Sequence, residues 1–457
     1  MIDNKLIEKY NKALPRYTSY PPATSFHNEF TSDDYIKSIK ASNNQGTKNI
    51  SLYLHIPFCP RLCLYCGCTT LITRKEQMIK SYLEALKKEI GMLSQWIDLS
   101  RPVTQIHWGG GTPNALSAEQ IGEIMDLISS LFKIEKNCEI AIECNPAHLT
   151  LSYLRSLFDM GFNRISLGIQ DFNQKVLEAA HRDTSKLPIE ELSNYIRMHS
   201  AGMNYDFIYG LPHQSPASFS ETIKQALALK PDRIVTFSYA HVPWVKPHQS
   251  LLEKEGLPGA EEKMAMFKSA YDIITKSGEY DAIGLDHFSR KDDSLSIALC
   301  SGKLHRNFQG YCTRETTGQV YAFGMSAISQ LYNSYAQNDK NIENYIRMIN
   351  SGKPATVKGY CISEDEMIIK EVIEGLMCNN KLIWSDLAEQ LETSVDRIKA
   401  VCGYSPKKMQ QYIDDGLLIM DDNSLNITGP GRFTIRNIVA ELDPKLNSSD
   451  KQFSKSI

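Results

Sequence analysis

From about residue 50 to residue 290 the chain alternates between apolar, β-rich runs and amphipathic helical stretches. The strand-like runs are Ile50–His55, Val103–Trp108, Glu139–Glu143, Arg164–Ile169, Tyr205–Tyr209, Arg233–Tyr239 and Asp281–Leu285. Between the first two, Ile79, Leu83, Leu86, Ile90 and Leu93 recur three or four residues apart, which sets them on one helical face with Lys and Glu opposite. Strands separated by helical crossovers pair in parallel, and such a sheet needs helices to cover it. An α/β fold is therefore expected. Its ligands should gather where loops converge at the C-terminal strand ends. The residues there are chemically unusual. Gly109, Gly110, Gly111 and Thr112 follow the second run, Glu143 ends the third, and Gln170 follows the fourth. Asp206 lies in the fifth, and Ala240 comes just after the sixth.

The first run leads into Cys59, Cys63 and Cys66, a CxxxCxxC loop that opens onto the same mouth. Three thiolates bunched in one loop can hold three irons of a [4Fe-4S] cluster and leave the fourth iron without a protein ligand. Zinc is the alternative, but zinc sites pair one knuckle with a second, distant pair of ligands, and no second Cys/His knuckle follows. Cys68 lies two residues past Cys66; it is expected to stay free near the site, because a fourth thiolate would close the cluster. Eleven cysteines in 457 residues, without a leader pattern or a membrane-length apolar run, point to a reducing cytoplasm rather than a disulfide framework. A net charge of −3 favours neither nucleic acid nor an anionic membrane as a partner.

The cysteine loop has the spacing of the radical S-adenosylmethionine (SAM) superfamily, and the likeness extends well beyond it. The run from Tyr53 to Cys59, then Cys63 and Cys66-Gly-Cys68, resembles the family of oxygen-independent coproporphyrinogen III oxidases. So do Pro15–Pro21, His107–Pro113, Gly168–Asn173, His305–Tyr311, Tyr335–Asn338 and Gly431–Asn437, which together span nearly the whole chain. The resemblance implies a partial (β/α)6 barrel with an N-terminal arm over the active site and a mainly helical, winged-helix-like C-terminal domain. It implies Cys59, Cys63 and Cys66 as cluster ligands. It implies SAM, in two molecules, held by Tyr53, Tyr65, Gly110, Gly111, Thr112, Glu143, Gln170, Arg182, Asp206, Ala240 and Ile328, with no catalytic side chain beyond cluster and SAM. The activity implied is radical oxidative decarboxylation of two propionates of coproporphyrinogen III to vinyl groups in porphyrin and haem biosynthesis. That needs a low-potential electron donor and an electron acceptor; a monomer is expected. A haem chaperone of the same superfamily is the alternative, although such chaperones usually lack the Cys-Gly-Cys ending, the arm and the His305–Tyr311 run.

Several of the implied residues also have an ordinary reading. Gly109–Gly111 suits a plain strand-to-helix turn, Glu143 a surface ion pair, Arg182 a solvated helix end, and Tyr53, Tyr65 and Ile328 core packing. The segment Gly202–Asp206 is shorter than its family counterpart, and an odd register shift would turn Asp206 to the opposite sheet face. The domains read from the sequence are the arm over 1–48, the barrel over 49–290, an extension over 291–358 and the C-terminal domain over 359–457. Lys12–His27 carries Arg16, Tyr17, Tyr20 and Phe26 and no acid, with Pro15, Pro21 and Pro22 arguing against a plain helix. Helix-like stretches at Glu364–Cys378, Ser385–Glu392 and Ser405–Asp415 precede a hairpin-like pair, Leu417–Met420 and Leu425–Thr428.

Overall fold

A computed structural model describes residues 4–446. Its centre is a sheet built from β1 (Ile50–Ile56), β2 (Val103–Gly110), β3 (Ile134–Cys144), β4 (Arg164–Gln170), β5 (Gly202–Tyr209) and β6 (Arg233–Ser238). It continues with β7 (Tyr280–Ile283), β8 (His287–Arg290), β9 (Gln319–Phe323), β10 (Ile328–Gln330), β11 (Ser334–Asn338) and β12 (Thr356–Cys361). The strand order is β12-β11-β10-β9-β1-β2-β3-β4-β5-β6-β8-β7. Pairing is parallel from β1 through β6, as the alternation predicts.

Two features differ from the sequence reading. The seventh run is not another parallel strand: β7 folds back through Gly284, at φ +58°, and pairs antiparallel with β8. On the other flank β9 pairs parallel with β1. Every residue of β9 is buried, so its sequence carries no polar alternation to reveal it. Residue 359 lies inside β12, which pairs with β11.

Alternation along β1 to β5 sorts chemistry from core. Leu52, Leu54, Ile106, Trp108, Ile140, Ile142, Ile165, Leu167, Met203 and Tyr205 belong to the large hydrophobic core. Helices cover that face; in Glu76–Leu93 the expected Leu83, Leu86, Ile90 and Leu93 are buried. Glu89 breaks its polar stripe. It is buried, accepting from Tyr345 Oη (2.7 Å), Gly324 N (2.7 Å) and Asn338 Nδ2 (2.6 Å). The other sheet face is polar: Tyr53 and His55, Gln105 and His107, Glu139 and Glu143, Arg164 and Ser166, Asn204 and Asp206. Towards its lower end Glu139 pairs with Arg164 (2.8 Å), and Asp293 pairs with both Arg164 (3.1 Å) and Arg233 (2.9 Å). Burial alone would raise Glu139, but the two guanidiniums bring it down to about 2.

The C-terminal region has its own core. Helices Glu364–Asn379, Trp384–Gln390, Val395–Val401 and Pro406–Asp414 surround a three-stranded sheet of Lys381–Ile383, Leu418–Met420 and Ser424–Ile427. Gly416, at φ +68°, lets the chain leave the last of these helices, as expected. The arm docks here. Tyr10, Tyr17 and Tyr20 join this core, and the hydroxyls of Tyr17 and Tyr20 donate to Asp443 (3.1 and 3.0 Å). No helix among the described residues is long and apolar enough to cross a membrane.

Candidate active site

The cysteine loop leaves β1 through Pro57. Its base is closed by a short parallel bridge in which Phe58 pairs with Leu71 and Cys59 with Ile72. Within it Cys66 N donates to Cys63 O (3.0 Å), and Leu64 N donates to Ala180 O (3.0 Å). Three side chains beyond β6 hold the loop from outside: Lys246 donates to Cys68 O (2.7 Å), His248 to Cys66 O (2.9 Å) and Gln249 to Tyr65 O (3.1 Å). None of the three was foreseen from the sequence, because they act through backbone carbonyls, which no motif spacing encodes.

Cys59, Cys63 and Cys66 line one cavity of about 170 Å³ together with Tyr65, Gly110, Gly111, Thr112, Glu143, Gln170, Arg182 and Asp206. Gly111 is required by close approach: a Cβ there would lie 2.8 Å from Pro57 O and 3.0 Å from Cys59 Sγ. Gly110, at φ +117°, faces the His55 ring at 2.7 Å from the site a Cβ would take. His55 is tied down on both nitrogens, to Tyr53 Oη (3.1 Å) and to Thr69 O (3.1 Å), and burial lowers its pKa. Because Thr69 O only accepts, Nε2 carries the proton and Nδ1 receives the tyrosine hydroxyl. Tyr53 therefore lies behind the wall; its ring also stacks on His107, with centroids 5.9 Å apart.

His107 in turn orients Glu143, its Nε2 lying 2.9 Å from Oε1, while Gly110 N donates to Oε2 (3.3 Å). A site deep in the barrel raises a carboxyl, yet these partners hold Glu143 below its ordinary value, and its side chain keeps 41% exposure onto the cavity. Asp206 behaves oppositely. Burial and the Glu143 charge push it up to about 7, against a hydrogen bond from Ser166 Oγ (3.1 Å). Gly168 pairs with Asp206, so the short strand keeps the register that turns this carboxylate into the barrel. Gln170 follows a bulge at φ +72°. Arg182 donates Nη1 to Cys63 Sγ (3.8 Å) and Nη2 to Gly168 O, while its buried Nε has no protein partner.

Besides Tyr53, two of the implied residues lie outside this lining. Ala240 is exposed and is absent from the cavity lining. Ile328, partly buried, packs with the group of Phe26, Tyr335 and Ile362, beside the arm.

The donor set fits an iron–sulfur cluster. Three thiols share one wall, and glycine at 111 leaves room where a methyl would strike Cys59. Burial pushes Cys59 up to about 11, against the Thr112 hydroxyl at 3.3 Å, and a bound cation is what deprotonates such a thiol. The unfilled Arg182 Nε and the Glu143–Asp206 pair supply a donor and acceptors for a polar, zwitterionic cofactor.

Barrel, cysteine loop and polar mouth together define a radical SAM protein, and the Radical SAM superfamily model matches residues 53–226. The oxygen-independent coproporphyrinogen III oxidase of Synechocystis is 40% identical over 99% of this chain and 97% of its own length. That of Escherichia coli K12 is 37% identical over 100% of this chain and 98% of its own. The solved structure of the Escherichia coli coproporphyrinogen III oxidase, described as a radical SAM enzyme, superposes with a TM-score of 0.89 at 36% identity, covering 97% of this chain and 99% of that one. The chain belongs to the oxygen-independent coproporphyrinogen III oxidase family.

Proposed function

We propose that this chain converts coproporphyrinogen III to protoporphyrinogen IX by oxidative decarboxylation of two propionates to vinyl groups, using one [4Fe-4S] cluster and SAM. The reading is carried by one observation: Cys59, Cys63 and Cys66 share a cavity with Glu143, Arg182 and Asp206 in a chain alike to named oxidases from end to end. When bound, cluster and SAM supply a 5′-deoxyadenosyl radical able to take hydrogen from a propionate β-carbon. The protein's own tasks are positional. Cys59, Cys63 and Cys66 hold the cluster, and the carbonyl clamps from Lys246, His248 and Gln249 keep their loop closed. Arg182, with its spare Nε donor, takes the SAM carboxylate; a planar guanidinium suits that geometry. Glu143, held ionised by His107, accepts from the amino group. Asp206 and Gln170 take ribose hydroxyls, and Tyr65 covers the loop against water.

We assign one SAM to this cavity; Ala240 and Ile328 lie outside it. The electrons come from an external low-potential donor and leave to an external acceptor, and the chain works as a monomer. Anaerobic turnover of reduced, cluster-loaded protein with SAM and coproporphyrinogen III tests the reading. Divinyl product and 5′-deoxyadenosine are expected; a loaded cluster that gives neither would leave the haem-chaperone alternative standing.

A further inference from the structure

A second cavity, of about 260 Å³, lies past the C-terminal ends of β5 and β6, where arm, barrel and C-terminal domain meet. Four arginines line it: Arg16 from the arm, Arg306 from the hairpin after the barrel, and Arg432 and Arg436 from the C-terminal domain. Asp286 is the one acid in that lining, and it is already engaged by His287 Nδ1 at 2.6 Å. Arg306 lies over the Tyr311 ring at 4.5 Å, and its buried Nε has no protein partner. Arg436 is 6% exposed and donates Nε to Pro15 O (2.9 Å). Burial and the neighbouring Arg16 lower Arg436 to about 10 and lower Lys263 as well, so cations are crowded here beyond what the local acids balance. Phe237, Phe267 and Phe433 supply apolar wall between them. Cationic forks set in aromatic walls suit carboxylates carried on a large apolar body.

The two cavities are neighbours. Asp206 lines the first and Phe237 the second; Val235 stands opposite Asp206, and Phe237 is two residues further along β6 on the same sheet face, which is about 7 Å of strand. One tetrapyrrole can therefore present a side chain to the first while its far edge enters the second. Resting on the function proposed above, we infer that the arginine cavity binds the two propionates that survive the reaction. The reacting carboxylates must come to the cluster cavity and are then lost. A grip that serves both decarboxylations has to hold groups present in substrate, tricarboxylate intermediate and product alike.

The test titrates two stable porphyrins into anaerobically reconstituted holoenzyme and follows fluorescence: coproporphyrin III with four carboxylates, and protoporphyrin IX with two. Arg432→Gln, and separately the exposed Arg16→Gln, should weaken both porphyrins by about 10- to 100-fold, as loss of a charged hydrogen bond does. Arg432→Lys should recover part of that loss. The tetramethyl ester of coproporphyrin should bind wild type and variants alike. Loss for coproporphyrin alone would mean that the arginines hold the reacting carboxylates, which overturns the inference; so would no loss for either porphyrin, or an equal loss for the ester. Iron and sulfide content at the wild-type level marks the variants as folded. Wild-type turnover is run alongside. Turnover with arginine-indifferent binding sinks this inference alone, whereas arginine-dependent binding without turnover sinks the proposed reaction and leaves the carboxylate site standing.

Discussion

Asp206→Asn should make the apoprotein more stable, and more so as pH rises. Burial and the Glu143 charge raise this carboxyl from 3.8 to about 7. Below about pH 4 the group is protonated in both folded and unfolded chains and contributes no difference. As pH rises further the unfolded chain releases its proton while the folded one keeps it, so unfolding gains and stability falls. The loss is complete once pH passes about 7 and stays constant above that. Three pH units at 1.36 kcal/mol each set a ceiling of about 4 kcal/mol; relaxation around a cavity-facing group roughly halves it, to about 2 kcal/mol. Asparagine has nearly the same volume and still accepts from Ser166 Oγ, at 3.1 Å in the wild type, so little else changes.

Melting curves of apo wild type and Asp206→Asn at intervals from pH 5 to pH 8.5 check this. The variant's advantage should widen up to about pH 7 and then level off, reaching a few degrees. SAM affinity of the cluster-loaded protein should show the reverse face of the same group: tightening through pH 7 in wild type, where the carboxylate becomes available, and flat in the variant. A stability gap that ignores pH, or a variant that melts lower at pH 8, would refute the claim that Asp206 is a destabilised acid kept for its ligand.

Cys68→Ser should retain wild-type iron and sulfide, whereas serine at Cys59, Cys63 or Cys66 should lose the cluster, as read by metal analysis and visible absorbance. Gly111→Ala should also lose cluster occupancy, because its Cβ meets Pro57 O at 2.8 Å and Cys59 Sγ at 3.0 Å, while Gly67→Ala, with nothing within 4 Å, should keep it. Glu139→Gln leaves Arg164 and Arg233 with Asp293 as their main counter-charge and should cost about 3–5 kcal/mol in urea unfolding at neutral pH. Because burial is outweighed by the two arginines and the folded Glu139 sits at about 2, its stabilisation is present above pH 4.5 and is lost as pH falls through 2; the deficit of the variant should shrink accordingly in acid.

The parallel strands were legible because each alternates between a core residue and a polar one, or ends in a residue that only chemistry explains. Ile140 and Ile142 pack outward while Glu139 and Glu143 face in, and a five-residue window shows it. β9 was not legible, since Gln319 to Phe323 is buried on both faces and reads the same as any apolar run. The run at Asp281 looked like another parallel strand because its reversal depends on Gly284, whose positive φ makes the turn and whose missing side chain leaves room for Tyr311, neither of which leaves a trace in hydrophobic pattern. Among site residues, the cysteines and Gly111 stood out because their chemistry fixes their spacing. Lys246, His248 and Gln249 are remote in sequence and touch only carbonyls, so folding alone brings them to the loop.

The polar inner face has a further consequence. A sheet whose outer side chains fill the main core and whose inner ones do the chemistry tolerates no slip of one residue, because that would exchange Asp206 for Tyr205 or Phe207 and bury a carboxylate among the core aromatics. The short segment before Asp206 is therefore compatible with function only if its pairing starts from Gly202, and it does: Arg164 sits opposite Gly202, and Gly168 opposite Asp206. Arg164 secures that start twice, through Nη1 to Asn204 Oδ1 (3.0 Å) and through its ion pairs with Glu139 and Asp293. The ionic network at the lower end of the barrel thus sets the register that delivers Asp206 to the mouth. Weakening it should degrade SAM binding as well as stability, although no residue of the network lines the cluster cavity.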